Sequence, residues 1–134
     1  MEALLIGNIM RRTVITTTPT ELLATTRAVM EQEGVHQLPV VENGALVGIL
    51  SERDLHAHTG YLERTRVDAA MTWNPITVTP AETAHYAAHL LIEKSINALP
   101  VVDGDHLVGI VSRTDLLQLL EQLLAGAPQQ RGAA

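Results

Sequence analysis

Two short, nearly continuous apolar runs stand close together in the first half of this chain, Leu38-Pro39-Val40-Val41 and Leu46-Val47-Gly48-Ile49-Leu50, with Asn43-Gly44 between them. Apolar runs of this length bounded by turn residues predict buried strands, and Asn-Gly between them predicts a tight hairpin. Strands are therefore expected over 38–42 and 45–50. The pattern returns at an offset of 61 residues, as Leu99-Pro100-Val101-Val102 and Leu107-Val108-Gly109-Ile110-Val111 with Gly104-Asp105 at the turn. Upstream, Thr13-Val14-Ile15-Thr16-Thr17 is rich in β-branched residues and predicts another strand. Thr18-Pro19-Thr20-Glu21, and Thr79-Pro80-Ala81-Glu82 after it, combine a cap, a proline and a reaching glutamate, the signature of a helix start. Leu23, Thr26 and Met30, like Ala84, Ala87 and Leu91, then fall on one helical face. Gly34 suits the end of the first helix; the second ends near Ser95 without a glycine. A short helix is expected after Ser51 and after Ser112.

Each half thus reads β-α-β-β-α, which makes the fold class α/β (α+β), two copies of one unit. Neither copy is large enough to bury its apolar face well, so the two are expected to pack about a pseudo-twofold axis with a cleft between them. The division is 1–61 and 62–122, joined through the polar stretch 59–66, with 123–134 as a flexible tail. The bulk composition narrows the class. Hydrophobic residues make up 46% of the chain but aromatics only 2%, so the core must be aliphatic. The absence of cysteine excludes disulfides and thiolate metal sites. A net charge of -6 with a single lysine, Lys94, speaks against nucleic-acid binding. No apolar run reaches the roughly 18 residues of a membrane span, and no signal-peptide pattern opens the chain; a cytoplasmic location is expected.

The chemistry-bearing pattern is Gly48-x-x-Ser51-x-x-Asp54, repeated as Gly109-x-x-Ser112-x-x-Asp115. In each, a strand gives way to a helix start. A serine hydroxyl, unpaired backbone N–H groups and a carboxylate meet there, a set able to hold an anionic group and a sugar's vicinal hydroxyls. Ser-x-x-Asp is equally a capping box that needs no ligand. The residues alone leave both readings open. The histidine pairs His85/His89 and His56/His58 lack the accompanying ligands of a metal site. No nucleophile elbow, Walker loop or catalytic carboxylate pair is present, so an enzyme is not expected.

Taken together, Thr-x-x-Pro, Leu-Pro-Val-Val, the hairpin and Gly-x-x-Ser-x-x-Asp-Leu resemble the CBS (cystathionine-β-synthase) domain, here as a pair of repeats. The lead-ins Asn8-Ile9-Met10 and Ala69-Ala70-Met71 belong to the resemblance, which covers about residues 6 to 120. It implies a stand-alone regulatory module that binds AMP, ADP, ATP, NAD or S-adenosylmethionine between repeats. Asp54 and Asp115 would hold ribose hydroxyls, and Ser51 and Ser112 would sit by the phosphate or sugar. Val35-His36 and Ile96-Asn97 would line the adenine pocket. Arg12-Thr13 and Trp73-Asn74 would form the opposite wall, Trp73 either stacking on the base or covering the core. Nucleotide-binding members often carry a basic residue before the Leu-Pro strand, where this chain has Gln37 and Ala98. Only Arg53 and Arg113 stand near the expected phosphate. A ligand of low negative charge is therefore expected, AMP or S-adenosylmethionine before ATP.

The resemblance also implies a flat homodimer and an unknown regulated protein, with no effector domain attached. Two alternatives are an interaction module without a small-molecule ligand, and a divalent-cation sensor. For the latter the acids Glu31, Glu33, Glu42, Asp103 and Asp105 are scattered.

Overall fold

Two hairpins form the frame of the molecule. The computed structural model describes residues 3–126; of the expected flexible tail, 127–134 lie outside the described residues. β1 (Gln37–Glu42) turns into β2 (Ala45–Ser51) through Asn43 and Gly44 at φ 53° and 82°. Both residues are left-handed, as the tightest hairpin turns demand. β4 (Ala98–Asp103) and β5 (His106–Ser112) repeat the hairpin, with Gly104 at φ 66° in the turn. The ladders match residue for residue, including a register shift between Val40 and Val41 that recurs between Val101 and Val102. The hairpins meet where Ala45 pairs with His106, giving the sheet order β1-β2-β5-β4, and the short β3 (Thr72–Trp73) pairs with β2. Pro39 and Pro100 lie in the outer strands, where a missing N–H is tolerated.

The helices are α1 (Leu23–Glu33), α2 (Glu52–His56), α3 (Val67–Ala70), α4 (Ala84–Glu93) and α5 (Arg113–Gly126). The expected faces are buried: Leu23, Thr26 and Met30 in α1, and Ala84, Ala87 and Leu91 in α4. Gly34 ends α1 at φ 67°, and Ser95 takes the equivalent left-handed position after α4 at φ 52°.

Four expectations change. The run 13–17 is not a strand: only Thr17 pairs, its N–H donating to Pro39 O and its carbonyl accepting from Val41. Residues 13–15 leave the sheet to wall a cleft. Thr18-Pro19-Thr20-Glu21 closes a turn rather than starting the helix, which begins at Leu23. In the second copy Glu82 does reach back to the Thr79 N–H, at 2.8 Å, but across the same kind of turn. The helix after Ser112 is 14 residues long rather than short and extends through residues 123–126. Finally, β2 and β5 are less buried than their apolar runs suggest, because Ile49 and Ile110 face the clefts.

The two cores are assembled by exchange. Ile6 and Met10, from the start of the chain, are buried with Val78, Leu91, Leu99, Val101 and Val111 of the second copy. Val67 and Met71, from the start of the second copy, are buried with Leu23, Met30, Leu38, Val40 and Leu50 of the first. Backbone bonds follow the same crossing. Ala84 N–H, the first amide of α4, donates to Leu4 O at 2.7 Å, and Leu23 N–H donates to Thr65 O at 2.9 Å. The polar connector therefore satisfies the open end of α1, which has no side-chain cap.

Candidate functional site: two related clefts between the repeats

The pseudo-symmetry places a cleft at each of two equivalent positions, of about 730 and 630 Å³. Each draws on both repeats. In the larger, Val14, Ile15, Val35 and His36 of the first repeat face Ser112, Arg113 and Asp115 of the second. In the smaller, Pro75, Ile76, Ile96 and Asn97 of the second face Ser51, Arg53 and Asp54 of the first. An apolar wall from one copy thus stands opposite a hydroxyl and a carboxylate from the other. This is the usual make-up of a small-molecule site, a mostly apolar concavity with a few placed polar groups.

The carboxylates sit there because they cap helices. Asp54 Oδ2 accepts the Ser51 N–H at 2.8 Å and the Ser51 hydroxyl at 3.0 Å, while Ser51 Oγ accepts the Asp54 N–H at 3.3 Å. Ser112 and Asp115 form the same reciprocal pair, at 3.0 and 3.1 Å. The capping box and the cleft are one structure, since the cap occupies Oδ2 and leaves Oδ1 to point elsewhere. For Asp54 that second oxygen has no protein partner among the described residues. For Asp115 it accepts Arg11 Nε at 2.9 Å.

Positive charge in the clefts is largely engaged. Arg113 donates through Nε to Ile96 O at 2.7 Å and through Nη2 to Leu91 O at 2.6 Å. Its guanidinium closes the C-terminal end of α4 rather than standing ready for a phosphate. Arg53 is exposed at the rim of the smaller cleft and has no ion-pair partner among the described residues. Glu52, the first residue of α2, lies against both clefts and bonds His36 Nδ1 at 2.8 Å.

Other expected residues lie outside the clefts. Gly48 and Gly109 line neither. A Cβ on Gly48 would come within 2.6 Å of Met71 Sδ and 2.9 Å of Thr72 O, and one on Gly109 would meet Met10 Sδ and Arg11 O at the same distances. These glycines admit the exchanged lead-ins. Trp73 is 56% exposed, donates to Asp68 O at 3.2 Å and neither walls a cleft nor covers the core. Thr72, Pro75 and Ile76 take the place expected of Trp73-Asn74. Arg12 is turned to Gly7 O, while Thr13 does line its cleft. Among the cleft residues the sequence reading missed, Arg11 and Glu52 carry charge, and Val14, Ile15, Thr72, Pro75 and Ile76 build the walls. Arg11 belongs to a segment whose place in the other repeat is visible only once the chain is folded. Among the described residues no group of three or more His, Asp or Glu is placed to hold a metal ion, and no helix is long and apolar enough to cross a membrane.

Paired hairpins, crossed lead-ins and two clefts each closed by the opposite copy define a two-repeat module. The chain belongs to the CBS domain family, whose model matches residues 6–58 and 67–122. It is 34% identical over 106 residues to the CBS domain-containing protein YhcV of Bacillus subtilis, covering 77% of this chain and 76% of that one. The CBS domain pair of protein MJ0100, solved in complex with 5′-methylthioadenosine and S-adenosyl-L-methionine, superposes with a TM-score of 0.84 at 25% identity, covering 91% and 99% of the two chains. CBSX2 of Arabidopsis thaliana, solved in complex with AMP, superposes with a TM-score of 0.83 at 26% identity, covering 90% and 98%.

Proposed function

We propose that this CBS pair is a regulatory module that senses an adenosine-containing ligand in the clefts between its repeats. The observation that carries the reading is the free Oδ1 of Asp54, held by its cap at the mouth of a cleft whose opposite wall is Pro75, Ile76 and Ile96. A purine suits the apolar wall, and a ribose diol suits a carboxylate oxygen already oriented and without a partner. The adenosine compounds held by the two superposing CBS pairs support the same class. AMP or S-adenosylmethionine is favoured over ATP. Arg113 is spent on carbonyls and Arg11 on Asp115, which leaves Arg53 to meet a triphosphate beside Glu52 and Asp54. Binding signals by population shift: a ligand touching both repeats favours one relative orientation of them over others.

The capping boxes give a second reading a specific footing. Asp54 and Asp115 are fully accounted for as caps in a module that binds only proteins. Thermal unfolding against AMP, ADP, ATP, NAD and S-adenosylmethionine separates the two. A ligand at about 100 times its dissociation constant adds roughly 2.7 kcal/mol, a rise of several degrees in a domain of this size. A rise with AMP or S-adenosylmethionine that Asp54→Ala reduces and Asp54→Ala combined with Asp115→Ala removes supports the sensor. A flat response across the panel supports the interaction module, and ATP binding far more tightly than AMP overturns the charge argument.

We further propose that two chains associate through the face of α5, where Leu117, Leu120 and Leu124 share one stripe of the helix and remain 48–64% exposed.

A further inference from the structure

The two clefts are built alike except at one position that decides the state of the carboxylate. Arg11 and Thr72 are equivalent, each paired antiparallel with the isoleucine that precedes the cap, Ile110 and Ile49. Arg11 is held there by two reciprocal backbone bonds to Ile110, both 3.0 Å. From that anchor its guanidinium reaches Asp115 Oδ1 at 2.9 Å, and the Asp115 side chain is only 11% exposed. With Oδ2 accepting the Ser112 N–H, both oxygens of Asp115 are already engaged, and a ligand hydroxyl must compete with Arg11 for Oδ1. Threonine at 72 makes no such contact, and Asp54 Oδ1 stays open.

We propose that Arg11 is a latch that makes the clefts unequal, so that a diol-bearing ligand fills the Asp54 cleft first and enters the Asp115 cleft in competition with the arginine. The proposal rests on the adenosine reading above. The latch is a bias rather than a block. Arg11 is 57% exposed, so water screens the pair and its worth stays in the range of weak ion pairs, enough to lower affinity about fivefold. The consequence is graded sensing, in which the module passes through a singly loaded state as ligand rises.

Single-site variants of the full chain isolate each cleft. Asp115→Ala reports the Asp54 cleft, and Asp54→Ala reports the Asp115 cleft. The probe is adenosine, which carries the diol but no charge that would recruit the freed arginine. Calorimetric titration should show adenosine binding about fivefold more weakly to Asp54→Ala than to Asp115→Ala. Adding Arg11→Thr to Asp54→Ala should recover most of that difference. In the converse test, Thr72→Arg in the Asp115→Ala background should weaken the Asp54 cleft, while Thr72→Met, similar in bulk and uncharged, should not. Equal affinities in the two single-site variants, or no gain from Arg11→Thr, would overturn the latch while leaving the adenosine reading in place. No binding to the unmodified chain or any variant, by adenosine or AMP, overturns both.

Discussion

Gly48 and Gly109 were drawn into the candidate site by the Gly-x-x-Ser-x-x-Asp spacing, yet their role is packing. Neither has a positive φ, so alanine is conformationally acceptable at both, and in open space it would be neutral or mildly stabilising. What forbids it is the backbone carbonyl of Thr72 or Arg11, 2.9 Å from the position of the added carbon. The methionine sulfur can swing away; the carbonyl belongs to a paired segment and moves only with it. Overpacking of this kind costs about 1–3 kcal/mol. Gly48→Ala is expected to lower the free energy of unfolding by that amount without altering the cap at Ser51, read as a lower midpoint in urea. The cap has its own signature. Ser51→Ala removes the acceptor for the Asp54 N–H and should cost about 1 kcal/mol, while the open oxygen of Asp54 remains to meet a ligand. Read in the Asp115→Ala background, where only the Asp54 cleft reports, stability would fall and adenosine affinity would hold, whereas Asp54→Ala in the same background loses both. If Ser51→Ala abolishes binding there as completely as Asp54→Ala does, the hydroxyl contacts the ligand itself.

At the scale of elements, the hairpins were the legible part. Asn43-Gly44 between apolar runs has few other structures open to it, and the second hairpin repeats its register down to the same bulge. The start of α1 misled because Thr18-Pro19-Thr20-Glu21 supplies every local cue while the actual first amides of α1 are met by carbonyls of the connector, Leu62 and Thr65, some 40 residues away. Tertiary partners replaced the local cap, and local sequence carries no trace of them. The strand over 13–17 failed for a related reason. β-branched residues fit an extended chain, but only Thr17 has a neighbour to pair with. The length of α5 has a different lesson. The helix contains no fully buried residue and exposes Leu117, Leu120, Leu123 and Leu124. A contiguous apolar stripe of this kind marks an interaction surface, and the repeat-one counterpart α2 is too short to present one. A Leu120→Glu/Leu124→Glu variant is expected to keep its far-ultraviolet dichroism and to sediment as a monomer where the unmodified chain sediments as a dimer. A chain that sediments as a monomer before substitution removes the dimer from consideration.

For the molecule as a whole, the decisive fact is the crossing of the lead-ins, and a repeat period does not encode it. Ile6 and Met10 match Val67 and Met71 in position and kind, so the sequence is silent on which lead-in enters which core. Geometry chose the exchanged arrangement, and it has a thermodynamic consequence. Residues 1–61 alone lack Val67 and Met71, both buried in their core. They also lack the carbonyls of Leu62 and Thr65 that close α1. Removing a buried methionine side chain costs roughly 2–5 kcal/mol, and a whole domain is stabilised by only about 5–15. Losing two core side chains and the helix end together should leave the fragment unfolded. The segment 62–134, deprived of Ile6 and Met10, should be unfolded for the same reason. Mixed, each fragment supplies the other's missing plug, so a 1:1 complex with the dichroism and dispersed amide spectrum of the intact chain is expected. Both clefts would be restored with it, since each takes its apolar wall from one fragment and its carboxylate from the other. If either fragment folds alone, its core closes without the exchange, and the coupling between repeats is weaker than a sensor that signals through their relative orientation requires.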